Sequence, residues 1–140
     1  MIGIVIVAHG GLAREYVAAV EHVVGPQGGL RAVTIEENHD RAAKEAEICL
    51  AANEVDAGDG VVIVTDLFGG SPSNLSMPAC LPARRRILYG ANLPMLVKLA
   101  KIRSSQTLGE CVDCAQTAGR KYIAAASHVL PSCKKNGTCG

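Results

Sequence analysis

The chain opens on Ile2-Gly3-Ile4-Val5-Ile6-Val7-Ala8, an apolar and largely β-branched run that stops abruptly on His9-Gly10-Gly11. A run this short, with no polar alternation, reads as a strand buried on both faces, the habit of a parallel sheet sandwiched between helices. Val61-Val62-Ile63-Val64-Thr65 has the same character and ends on Asp66. Few folds accommodate two such strands in one short chain. Both need helical cover on each side.

The segments between them supply that cover. Leu12, Tyr16, Val20 and Val23 recur at helical spacing until Gly25-Pro26. Leu30 to Ile35 reads as a second strand, and Arg41 to Val55 as a second helix with Ala42, Ala46, Cys49, Leu50 and Asn53 on one face. After the third strand, Ser71 suits an N-cap and Pro72 a first helical turn, with the helix running to about Cys80 before Pro82 breaks it. Arg86 to Tyr89 is a short fourth strand. Pro94 opens a helix that closes near Arg103, and Leu108 to Ala118 forms another. Lys121 to Ser127 is a candidate last strand, and residues 131–140 read as a flexible tail. The alternation predicts one α/β domain over residues 1–130, doubly wound, with a mostly parallel open sheet and helices on both faces.

Composition narrows the function classes. A formal charge of +1 argues against electrostatic nucleic-acid binding, and 3% aromatic residues leave little for stacking. No stretch approaches a transmembrane length and no charged leader precedes the first strand, so a cytoplasmic protein is expected. Of the six cysteines, Cys111 and Cys114 form a CxxC inside a helical pattern rather than at the start of a helix after a strand. A zinc site completed by Cys133 and Cys139 is disfavoured by the five residues between that pair. Neither metal nor cofactor is expected.

Three strand ends carry unusual chemistry: His9-Gly10-Gly11, Asp66 with Gly69-Gly70-Ser71-Pro72, and Gly90-Ala91-Asn92. In an open parallel sheet they share one edge, and strands one and three flank the crevice at the reversal of strand order. His9 would then lie beside Asp66. A neutral imidazole attacks through one ring nitrogen when a carboxylate holds the proton on the other. Gly69 and Gly70 permit close backbone approach, and Ser71 stands at a helix start, where N–H groups collect anions. Together these residues suggest phosphoryl transfer onto histidine.

At these positions the sequence resembles the IIA domain of the mannose-type phosphotransferase system. The resemblance covers residues 1 to about 128 and rests on the strand leading into His9-Gly10, on Asp66-Leu67-Phe68-Gly69-Gly70-Ser71-Pro72 with Asn74, and on Gly90-Ala91-Asn92-Leu93-Pro94-Met95. It implies that His9 is phosphorylated on Nε2 by phospho-HPr and passes the group to a IIB component, with Asp66 orienting the ring. It also implies that Gly10, Phe68, Gly69, Gly70 and Ser71 surround the phosphoryl group, with Pro72, Asn74 and Asn92 on the rim. A homodimer that exchanges the strand Tyr122 to Ser127 is implied as well. A membrane permease would be only an indirect partner. Some relatives carry Trp where this chain has Phe68, which bears on partner docking more than on chemistry.

Rival readings fit less well. A receiver domain needs an acidic cluster at the end of strand one, where this chain has Ala8-His9-Gly10. A histidine phosphatase needs an arginine directly before its His-Gly, and Ala8 stands there. A regulatory phosphohistidine module requires the same His9 chemistry and remains an alternative, with a cysteine-based zinc or redox protein behind it. His22 and His39 read as surface or structural residues, and His128 borders the tail. Arg84-Arg85-Arg86 could attract an acidic partner or simply be solvated.

Overall fold

A computed structural model describes residues 1–67, 69–80 and 84–130. Phe68, Pro82 and the tail expected at 131–140, with Cys133 and Cys139, lie outside the described residues. The elements follow as β1 (Gly3–His9), α1 (Leu12–Val24), β2 (Leu30–Ile35), α2 (Arg41–Val55), β3 (Val61–Thr65) and α3 (Ser71–Ser76). A 3-10 turn (Met77–Cys80) leads to β4 (Arg85–Leu88), α4 (Leu93–Ile102), α5 (Leu108–Lys121) and α6 (Ala126–Val129).

The strands form one parallel sheet in the order β2-β1-β3-β4. The chain moves outward from β1 to β2, then returns past β1 to build β3 and β4, so the order reverses between β1 and β3. That pair carries the crevice of an open α/β sheet.

Alternation along β1 feeds two cores. Ile2, Ile4, Ile6 and Ala8 pack with Val62 and Val64 against Ala13 and Val20 of α1, Leu96 and Leu99 of α4, and Cys111 and Ala115 of α5. Val5 and Val7 point the other way, with Val33, Ile35 and Ile63, against Ile48, Ala52 and Val55 of α2 and Leu75 of α3. A doubly wound sheet with helices on both faces is the architecture, as the sequence led us to expect. Gly3 lies where α2 comes closest: a Cβ there would stand 2.3 Å from the Val55 carbonyl oxygen.

Some expectations need correction. The buried face of α2 is Lys44, Ile48, Ala51, Ala52 and Val55, whereas Leu50 is 58% exposed and Ala42, Ala46 and Asn53 are exposed too. Alanines around the helix blur its periodicity, and the two β-branched residues, Ile48 and Val55, mark the true face. On α1, Val20 is buried as expected, whereas Leu12 and Val23 are exposed and Ala13 is buried in their place. Ser71 is not the N-cap of α3. Gly70 holds that position and offers no side chain, so Ser71 begins the helix. The α-helix also ends at Ser76, and the 3-10 turn from Met77 begins one residue before Pro78, which lacks the N–H an α-helix would need there.

The strand expected over Lys121–Ser127 does not form within the chain. Lys121 instead completes α5, where its charge and that of Arg120 complement the helix C-terminus. Residues 122–125 run on exposed, and Ala126 starts a short helix. An extended segment needs an edge to pair with, and no strand of this sheet pairs with these residues.

Candidate functional site

The site is assembled at the carboxyl ends of β1 and β3. β1 pairs with β3 up to Val7 opposite Thr65, so the next residues of both strands emerge side by side at the sheet edge. His9 closes β1, and its side chain is 49% exposed, while that of Asp66 is 11% exposed. Asp66 Oδ2 accepts from the backbone N–H of His9 at 3.0 Å and lies 2.9 Å from His9 Nδ1. Its Oδ1 accepts from the N–H of Leu67 at 2.9 Å.

These bonds decide the charge and the tautomer. Burial pushes the Asp66 carboxyl up, but the N–H and ring of His9 and the N–H of Leu67 outweigh it, and the net shift is downward. An ionised carboxylate only accepts, so the proton between the two residues belongs to Nδ1. In the neutral ring this leaves the lone pair on Nε2.

Glycines make room around that nitrogen. Gly10 turns the chain out of β1 at φ 55°, a conformation costly for other residues, while its N–H bonds to Ile35 of β2 at 3.0 Å. Gly69 has φ 79°. A Cβ added to Gly70 would stand 3.4 Å from Cε1 and 3.8 Å from Nε2 of His9, so the bare backbone of Gly70 forms one wall. Ser71 is exposed at the start of α3, whose first turn has no side-chain cap. Pro72 is buried in that turn, and Asn74 is exposed and donates its N–H to Gly70 O at 3.0 Å.

Asn92 is engaged elsewhere. Its Oδ1 caps α4 by accepting from Met95 N at 3.0 Å, and its Nδ2 donates to Gly119 O of α5 at 2.9 Å. Both ends of the amide join helices. The neighbouring Ala91 is tied to the site's frame, since its N–H donates to Thr65 O and its carbonyl accepts from the Tyr16 hydroxyl, each at 3.0 Å.

Sequence reasoning missed Tyr16 as part of this frame. Burial first, and the Asp66 charge second, raise the Tyr16 hydroxyl above its ordinary value, which marks its nearness to the carboxylate. One of only three tyrosines, four residues into α1, it was legible as a face residue but not as a tie between α1 and the loop after β4. His22 is exposed, and His39 Nδ1 lies 2.9 Å from Glu36 O near the start of α2. Among the described residues no three acidic, cysteine or histidine side chains converge as a metal site. Cys111 and Cys114 both lie on α5, their thiols near Gln106.

Known proteins share this sheet and its covering helices. The profile of the PTS system fructose IIA component matches residues 3–116. The chain belongs to this family. YadI of Escherichia coli (strain K12), named as a phosphotransferase enzyme IIA component, is 29% identical over 111 residues, covering 79% of this chain and 76% of YadI. The phosphotransferase system component EIIA from Streptococcus agalactiae superposes with a TM-score of 0.78 at 26% identity, over 91% of this chain and 99% of that one. The PTS IIA protein associated with the fucose utilization operon from Streptococcus pneumoniae gives 0.75 at 26% identity, over 91% and 95%. No helix among the described residues is long and apolar enough to cross a membrane.

Proposed function

We propose that this IIA protein is a cytoplasmic phosphocarrier of the phosphoenolpyruvate-dependent sugar phosphotransferase system, accepting a phosphoryl group from phospho-HPr on His9 and passing it to a IIB component. The observation that carries the reading is the contact between His9 Nδ1 and Asp66 Oδ2 at 2.9 Å, with Gly70 beside Nε2. In the transfer, the Nε2 lone pair attacks phosphorus in line. The bond from phosphorus to the donor breaks as the new P–N bond forms. The imidazole gains positive charge, and the Asp66 carboxylate stabilises it through the proton on Nδ1. Backbone N–H groups near Gly70 and Ser71 then face the transferring oxygens, with Gly10 and Gly69 shaping the turns and Asn74 near the rim. Transfer to IIB runs the same steps in reverse on a new acceptor.

Exposed apolar residues around His9 suit protein partners better than a small substrate. Leu12 is 39% exposed and Leu67 58%. A homodimer is also supported. Among the described residues β4 is the last strand of the sheet, and a groove of about 450 Å³ runs between β4 and α5, lined by Ile87, Tyr89, Met95 and Val112. Ile123, which also lines it, is exposed, as are Tyr122, Val129 and Leu130. An exchanged Tyr122–Ser127 strand from a second copy would cover both.

The test is 31P NMR of the full chain after phosphorylation by phospho-HPr. A phosphohistidine signal of the Nε2 type supports the reading, and an Nδ1 signal or phosphorylation at another residue refutes it.

A further inference from the structure

We propose that the opposite, amino-terminal edge of the sheet holds a second ligand site, one that takes the phosphate of a small hydroxylated phosphate monoester. The arginine run at the start of β4 is its origin. Arg85 turns to one face, where it is 7% exposed and donates to Ala79 O, Asn53 Oδ1 and Asp56 Oδ2 at 3.2, 2.7 and 3.2 Å. Strand alternation sends Arg84 and Arg86 to the other face, and both line a cavity of about 540 Å³ beside the start of α5. One Nη of Arg84 is bonded to Gly58 O at 2.8 Å. A guanidinium has five donors, so that bond still allows Arg84 to grip a pair of phosphate oxygens.

α5 presents its N-terminus to the same cavity. Leu108 and Gly109 line it, and the Thr107 hydroxyl caps only the N–H of Glu110, at 3.3 Å. A Cβ added at Gly109 would meet nothing within 4 Å, so an anion can approach this turn closely.

An independent observation comes from beneath. Arg103 forms part of the cavity wall while only 2% exposed. Its terminal nitrogens bind the carbonyls of Ile2, Gly28 and Gly29 and the Gln27 side chain. Its Nε has no partner among the described residues. Among the described residues its partners are carbonyl and amide oxygens rather than a carboxylate. Among the described residues the cavity lining carries three arginines against one acid, Asp59, and Arg86 donates one Nη to Arg85 O at 3.0 Å. Ser104 and Ser105 add hydroxyls and no aromatic ring among the described residues lines the wall, which suits a hydroxylated body rather than a stacked base.

This site is separate from the one at His9. It lies at the amino ends of β3 and β4, while His9 and Asp66 stand at carboxyl ends. The five residues of β3 put roughly 15 Å between the two edges.

The experiment is a 15N NMR titration of the full-length His9→Ala protein with glycerol 3-phosphate, using glycerol as the control. Saturable shifts at the amides of Arg84, Arg86, Leu108 and Gly109, absent with glycerol, are expected. The Arg84→Ala/Arg86→Ala variant should bind at least about tenfold more weakly. Gly109→Asp places a carboxylate in open space at a helix start, a position that favours acids, so this variant should fold normally and also lose binding. Shifts confined to Gly10, Gly70 and Ser71, no saturation, or undiminished binding by folded Gly109→Asp protein would overturn the proposal.

Discussion

Asp66 holds His9 twice with one oxygen: Oδ2 lies 3.0 Å from the backbone nitrogen of His9 and 2.9 Å from its ring Nδ1. The backbone bond fixes where the carboxylate stands relative to the strand end. The ring bond then fixes the tautomer and aims Nε2 outward. Orientation and charge come from the same group, so substitutions of Asp66 that keep its shape and remove its charge are the informative ones.

Asp66→Asn should slow phosphoryl transfer from phospho-HPr by about tenfold or more, because an amide cannot balance the imidazolium and can present its NH2 to the ring. Single-turnover rates would show it. Unimpaired transfer would remove the role given to Asp66.

The same carboxylate makes a pH prediction. Its value is lowered in the folded chain, so the charged form is favoured by folding. The stabilisation is present above the unfolded value of about 3.9 and is lost as the pH falls through the lower folded value. Denaturant midpoints of wild type should therefore fall more steeply than those of Asp66→Asn below about pH 4. Parallel curves for the two proteins would contradict this.

Gly70→Ala should affect transfer and not folding. The backbone there has φ −84° and ψ 178°, open to any L-residue, yet the new methyl would touch the His9 ring beside Nε2. A transfer rate reduced by about tenfold or more, with a melting temperature within about 2 °C of wild type, is expected. An unchanged rate would mean that the phosphoryl group does not pass beside Gly70.

Asn92→Ala should do the reverse. Loss of the α4 cap and of the bond to Gly119 should cost about 2 kcal/mol in chemical denaturation, with transfer per folded molecule unchanged. A selective loss of transfer at full stability would return Asn92 to the site.

Gly3→Ala tests the packing of α2 on β1. A methyl 2.3 Å from the Val55 carbonyl forces helix and sheet apart, and a loss of about 2–3 kcal/mol is expected. A wild-type denaturation midpoint would show that the two elements can shift without cost.

Much of this was legible in the sequence because strands buried on both faces have few alternatives. Leu30–Ile35 and Arg41–Val55 form where spacing and turn residues put them, and the nearness of His9 to Asp66 followed from strands one and three flanking the crevice. What local pattern could not reveal depends on tertiary partners. The alanine-rich α2 hides its buried face, Asn92 and Tyr16 act through contacts 27 and 75 residues away, and Tyr122–Ser127 has no strand beside it in a single chain. The arginine run shows the same limit. Its sequence allows a lure for an acidic partner or a solvated stretch, and only the fold reveals that one face is a buried tie and the other an open cavity.

The most direct measurement is intact mass after incubation with enzyme I, HPr and phosphoenolpyruvate, for wild type and His9→Ala side by side. Wild type should gain one phosphoryl group that is lost in acid, and folded His9→Ala should gain none. An unchanged wild-type mass with active phospho-HPr, or equal uptake by the variant, would contradict transfer through His9.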